Sequence, residues 1–235
     1  MPILIPNGTE IPQWLEQKIG ARSWTAFQDN TKKGLLTAIT CYQSFDSITN
    51  EVDYASSIIP IMKSLEYELR LQFYDPYVDY LQSHYTTEGY ADIILQNTDN
   101  AVPGDYQKAA ALKKSILSYD KYSNVLTYVD TRAEKYFTLG RFVHSISDGK
   151  PFAPTLDRPI VDYCQHVLFP DSNVSNNKIR KWLKDIIIGV LQQQRTRDDS
   201  AHGRKIQNRR DAEKAIEDTI SVGRLLAKIK TPDFI

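Results

Sequence analysis

Apolar residues in this chain recur at intervals of three and four far more often than at intervals of two. The clearest stretch is Ile179, Trp182, Leu183, Ile186, Ile187, Val190 and Leu191. Its spacing lays a wide apolar stripe along a helix of roughly four turns, here spanning 178–194. The "SNVSNN" before it supplies Ser and Asn as N-cap candidates. A second helix is predicted from about Asp211 to Lys228, with Ala212, Ala215, Ile216, Thr219, Gly223, Leu226 and Ala227 near one face. Asp211 and Glu213 near its start, and Lys228 and Lys230 near its end, suit the helix dipole. A third segment, "SIIPIMKSLEYELRLQFY", puts Ile58, Met62, Leu65, Leu69 and Phe73 on a stripe, with Pro60 in its first turn or kinking it. "SWTAFQDNTKKGLLTAITCYQSF" reads as another helix with Gly34 as a weak point, and "DYQKAAALKKSILSY" as a fifth. Turn formers crowd 86–105 and 147–159, which read as loops.

The expected fold class is therefore all-α, a helical bundle with two long loops. It is expected to be a single domain over 1–235, with N-terminal helices at about 23–84, a connecting region at 85–175 and C-terminal helices at 176–230.

Composition adds little to that picture, but charge distribution changes it. With 41% hydrophobic and 25% charged residues the chain looks like an ordinary globular protein. Its formal net charge of zero excludes the global basic field of a general nucleic-acid binder. Locally the balance is uneven. Asp46 to Asp105 holds eleven acidic residues against Lys63 and Arg70, whereas Lys178 to Arg210 holds ten basic residues against Asp185, Asp198 and Asp199. The basic third can face the acidic middle or a polyanion. Cys41 and Cys164 give no disulfide framework and no zinc knuckle, which fits a reducing cytoplasm. The N-terminus lacks the features of a signal peptide, and no apolar run approaches the length of a membrane span. A cytoplasmic location and no membrane partner are expected.

The candidate chemistry lies where the best helix pattern runs into "QQQRTRDDSAHG", residues 192–203. Arg197 and His202 are five residues apart, so on a continuous helix they would point about 140° away from each other. They converge only if the helix ends between them. Asp198, Asp199 and Ser200 prefer caps and turns, and Gly203 suits a turn. A histidine titrating near neutrality can pass a proton to or from an RNA hydroxyl, and an arginine fork can hold two phosphate oxygens. No metal or other cofactor is required. One histidine cannot serve as base and acid in one concerted step, but a twofold axis would bring a second copy. The same residues also read as a solvated, charged helix end.

Arg197-Asp198-Asp199-Ser200-Ala201-His202 resembles the R-x4-6-H motif of the HEPN superfamily, small α-helical domains of prokaryotic defence and toxin–antitoxin proteins. Like those domains, the chain leads into the motif with an apolar helix and follows it with a long C-terminal one; "SLEYELR" (64–70) also looks like an early helix of some members. The resemblance implies a metal-independent endoribonuclease acting on single-stranded RNA or tRNA in phage defence, stress or toxin action. It assigns catalysis to Arg197 and His202, with Asp198 as the motif's polar position. It also implies a homodimer with the site at the dimer interface and an antitoxin or regulatory partner. Arg195 fits the spacing too, but Thr196 follows it rather than a residue of the polar kind. Arg204 stands where toxins paired with nucleotidyltransferase antitoxins often carry Tyr. Arg195, Arg204, Lys205, Arg209 and Arg210 are the expected RNA-binding cations. The alternative is a non-catalytic module binding RNA, a nucleotide or a protein.

His84, His144 and His166 stand alone, and Cys164-x-His166 is too sparse to propose a metal. Glu66 and Glu68, two apart, read first as a solvated helix face and second as partners for the basic motif helix.

Overall fold

The small residues decide how closely the helices approach. The computed structural model describes residues 5–6, 8–46, 52–86, 89, 107, 111, 139, 142–143, 157–170, 173–201 and 206–229, without the side chains of 46, 157, 158, 195 and 197–201. Helix makes up 86% of the described residues and no strand occurs among them, so the fold class is all-α. The chain divides into two compact units, one from 1–69 with 188–233 and one from 70–187.

In the first unit, α1 (Ile11–Ile19) and α2 (Ala21–Ala26) meet at Gly20, whose φ of 99° is open to glycine at little cost. The helix expected over 23–45 is split at Phe27 and Gln28 into α2 and α3 (Asp29–Asp46). Gly34 is a contact point rather than a weak point. A Cβ there would collide with Ser64 of α4 (Ala55–Leu69), so α3 and α4 pack backbone to backbone. Pro60 sits inside α4, and its carbonyl accepts from the Ser64 hydroxyl at 2.8 Å. α4 is buried around most of its circumference, with Ile58, Ile61, Met62, Leu65 and Leu69 at 3% exposure or less, and keeps a narrow open strip along Ser56, Ile59, Lys63 and Tyr67.

The second unit opens with a π turn at Arg70–Tyr74, spanned by an ion pair from Arg70 Nε to Asp75 Oδ2 at 3.4 Å, and continues into α5 (Asp75–His84). A further helix, α6 (Asp157–Tyr163), leads into a second π turn at Cys164–Leu168. α6 begins inside the stretch expected to be loop, because Pro159 falls in its first turn, where a missing N–H costs nothing. The core here is aromatic. Phe73 lies 5.4 Å from Phe142, 5.5 Å from Tyr163 and 6.1 Å from Trp182 between ring centroids, and Trp182 stands edge-on to Phe169 at 5.2 Å. The buried Tyr163 hydroxyl donates to the Phe73 carbonyl at 3.0 Å, joining the two π turns. Most of the expected helix at 105–119 and of both loops lies outside the described residues.

Two long helices complete the chain, α7 (Asn176–Ala201) and α8 (Arg209–Ala227). α7 contributes Ile179, Trp182, Leu183, Ile186 and Ile187 to the second unit's core and its remaining turns to the first unit. Among the described residues no helix is long and apolar enough to cross a membrane.

Candidate nucleic-acid interface at the end of α7

From Ile188 onward α7 packs on α8 within the first unit. A Cβ on Gly189 would approach Val222 Cγ2 to 2.5 Å, so the two backbones nearly touch there. One turn later Gln193, 1% exposed, donates from Nε2 to the Ala215 carbonyl at 3.0 Å and to the Thr219 hydroxyl at 3.1 Å. Gly189 faces Val222 and Gln193 faces Thr219, so α7 and α8 run antiparallel at this contact.

The sequence places the end of this helix near Gln194; the helix continues to Ala201. Gln and Arg are good helix formers, and Gln193 anchors the turn before them, so the charged tail stays helical through Asp198, Asp199 and Ser200. These three are helix residues, not caps. The break expected between Arg197 and His202 is absent through Ala201, and the rest of that stretch lies outside the described residues. Arg195, Arg197 and Asp198 lie on the helical backbone; His202, Gly203, Arg204 and Lys205 lie outside the described residues.

The chain is pinned again just beyond. Gln207, 2% exposed, donates its N–H to Asp53 Oδ1 at 3.1 Å, and its carbonyl accepts from Tyr54 N–H at 2.9 Å. Asn208 and Asp211 then form a reciprocal capping box that starts α8. Arg209, one of the expected RNA-binding cations, is built into the fold. Its Nε donates to Glu213 Oε1 at 3.0 Å and to the Tyr42 hydroxyl at 3.1 Å, and its guanidinium lies 5.9 Å from the centre of the Tyr42 ring. Tyr42 in turn donates to Glu213 Oε1 at 2.7 Å. Burial, and then that donation, raise the Tyr42 hydroxyl well above its ordinary pKa, so it remains a neutral donor. Arg210 is exposed. Ile206, between the two anchored stretches, is 73% exposed.

Glu66 and Glu68 are not on a solvated face. They are 0% and 1% exposed. Glu66 Oε2 pairs with Lys63 Nζ at 3.1 Å, and Glu68 Oε2 accepts from the Thr31 hydroxyl and from Gln28 N–H at 3.2 Å. The signal in the sequence was register: Glu66 follows Met62 by four residues and Glu68 follows Leu65 by three. A cavity of about 10 Å³ beside Glu68, lined also by Thr31, Ser64 and Thr219, has room for one water and none for a nucleotide. His84 stacks on Tyr80 with ring centroids 4.1 Å apart, and His166 Nδ1 lies 2.7 Å from the Asp162 carbonyl oxygen.

Sequence reasoning passed over Gln193 and Gln207. Gln193 was visible as a polar residue in the register of Ile186 and Val190. Gln207 carried no such mark, because its role depends on Asp53 and Tyr54 far away in sequence. Comparison of the chain with family models, with curated proteins and with solved structures gave no match.

Proposed function

We propose that the chain is a metal-independent endoribonuclease of HEPN type, cleaving single-stranded RNA or tRNA at Arg197, Asp198 and His202. The observation that carries this reading is that anchored residues flank the motif on both sides, Gln193 on α7 and Gln207 before α8, with Arg197 and Asp198 one turn beyond the first anchor. In the proposed reaction the ribose 2′-oxygen attacks the adjacent phosphorus as histidine removes its proton. The bond from phosphorus to the 5′-oxygen breaks, and that oxygen leaves with a proton from the second subunit's copy of the same histidine. The products are a 2′,3′-cyclic phosphate and a 5′-hydroxyl. Arg197 balances the charge that grows on the phosphate, and Asp198 orients it. Arg195, Arg204, Lys205 and Arg210 hold the RNA backbone, with Arg209 in a supporting place because Tyr42 and Glu213 already engage it. Homodimerisation at the site, control by an antitoxin or other regulatory protein and a cytoplasmic setting belong to the same proposal.

The test is cleavage of a mixed cellular RNA pool in EDTA by the native protein and by His202→Ala. Fragments ending in 2′,3′-cyclic phosphate from the native protein alone are expected. Cleavage retained in His202→Ala overturns the assignment. The helical state of Asp198, Asp199 and Ser200 favours a second reading, a non-catalytic module that binds RNA, a nucleotide or a protein along a basic helix end. Intact RNA in both lanes, with binding weakened by charge reversal at Arg204 and Arg210, selects that reading.

A further inference from the structure

Gln193 is a poor choice for stability alone. Its Nε2 makes two hydrogen bonds, yet its Oε1 is buried with no hydrogen-bond partner. A half-satisfied buried amide gives back part of what its donations contribute. What the amide adds is orientation. Its two acceptors, Ala215 and Thr219, are one turn apart on α8, so they fix both the rotation and the slide of α7 at this point. Gly189 sets the spacing one turn earlier, against Val222. Position 197 follows Gln193 by one further turn of unbroken helix, so whatever fixes Gln193 fixes the phase in which the motif leaves α7. Positions 195 and 197 differ by about 200° around the axis, so the same lock determines which of the two arginines lies on the α8 side. By register that is position 197, which continues the buried series Ile186, Val190, Gln193.

We infer that Gln193, through Thr219, is a positioning residue that locks the phase of α7 on α8 and thereby selects Arg197 over Arg195 as the working arginine of the motif. The selection of Arg197 rests on the ribonuclease reading above; the lock itself does not.

The experiment therefore reads both. Amide hydrogen exchange is measured on peptides covering 194–201 and 55–69 in the native protein, Gln193→Met, Thr219→Val and Thr219→Ser, alongside single-turnover RNA cleavage. Gln193→Met keeps the volume and removes the donors; Thr219→Val removes the acceptor and Thr219→Ser retains it. Exchange over 194–201 is expected to rise roughly tenfold in Gln193→Met, which removes two hydrogen bonds of ordinary strength, and about threefold in Thr219→Val, which removes one, while 55–69 is unchanged. The maximal cleavage rate should fall by a similar factor with the half-saturating RNA concentration unchanged, and Thr219→Ser should behave as native. Native-like exchange in both Gln193→Met and Thr219→Val overturns the lock whether or not the protein cleaves RNA. Faster exchange with undiminished cleavage overturns the positioning role. A native protein that cleaves no RNA, with exchange raised as expected, overturns the ribonuclease reading and the choice of arginine while upholding the lock.

Discussion

The unit built from 70–187 and the unit built from 1–69 with 188–233 bury their helices by different means. The former fills its core with rings: Phe73, Tyr77, Phe142, Tyr163, Phe169 and Trp182, all 3% exposed or less. The latter brings elements close at Gly34, Gly189 and Gly223, where a Cβ would strike the side chain of Ser64, Val222 or Phe27, and fixes them with buried hydrogen bonds at Glu68, Gln193 and the backbone of Gln207. Rings supply large buried area and tolerate small adjustments of angle, whereas close backbone contacts and paired amides supply less area but fix orientation. The candidate site grows out of the second kind of packing. Chemistry that needs an arginine and a histidine at a set angle gains more from orientation than from bulk.

The largest effect should come from breaking the aromatic unit. Phe73→Ala removes a ring that meets four others and is expected to cost about 3–5 kcal/mol, read as a fall in thermal midpoint of roughly 10 °C. A loss under about 1 kcal/mol would mean that the ring cluster is not what holds that unit. Gly189→Ala sharpens the other side of the contrast. The added methyl meets Val222, and overpacking of about 1–3 kcal/mol outweighs the gain of up to about 1 kcal/mol in helix propensity. A midpoint lowered by a few degrees in a thermal melt is the expected result, and an unchanged or raised midpoint would show that α7 and α8 do not approach so closely.

The smallest effect concerns charge. Burial raises the Asp218 carboxyl above its ordinary pKa of 3.8, against the opposing pull of Lys214. A folded value above the unfolded one means that the group's contribution is fully present below the ordinary carboxylate range and is lost as pH rises through the raised value. At pH 7 the native protein therefore carries a small penalty that Asn avoids. Asp218→Asn should melt slightly higher than native at pH 7 and level with it near pH 3. A variant that melts lower at pH 7 would place the carboxylate among the groups that hold the first unit together.

Much of this architecture could be read from periodicity. The stripes of α7 and α8 are regular because each has one apolar and one polar side, and sequence placed the start of α7 and both ends of α8 to within a turn but missed the charged extension of α7. The same logic failed for α4, where carboxylates at 66 and 68 looked like a wet face. Their partners, Lys63, Thr31 and Gln28, make burial tolerable, but only Lys63 is near in sequence. The π turns were invisible for a similar reason: an added residue in a helical run leaves no gap in hydrophobicity, only a shift of phase. Of the candidate site, the residue types and the apolar helix that leads into it were legible. The anchors were not, because each is a contact between distant segments.

The paired anchors at Gln193 and Gln207 carry one more implication. Between them runs a short stretch whose ends are held by contacts that none of its own side chains make. Such a stretch is an exchangeable cassette: substitutions within it leave the surrounding frame intact. Divergence among descendants of this chain should therefore concentrate in 194–206, with Gln193 and Thr219 changing together or not at all.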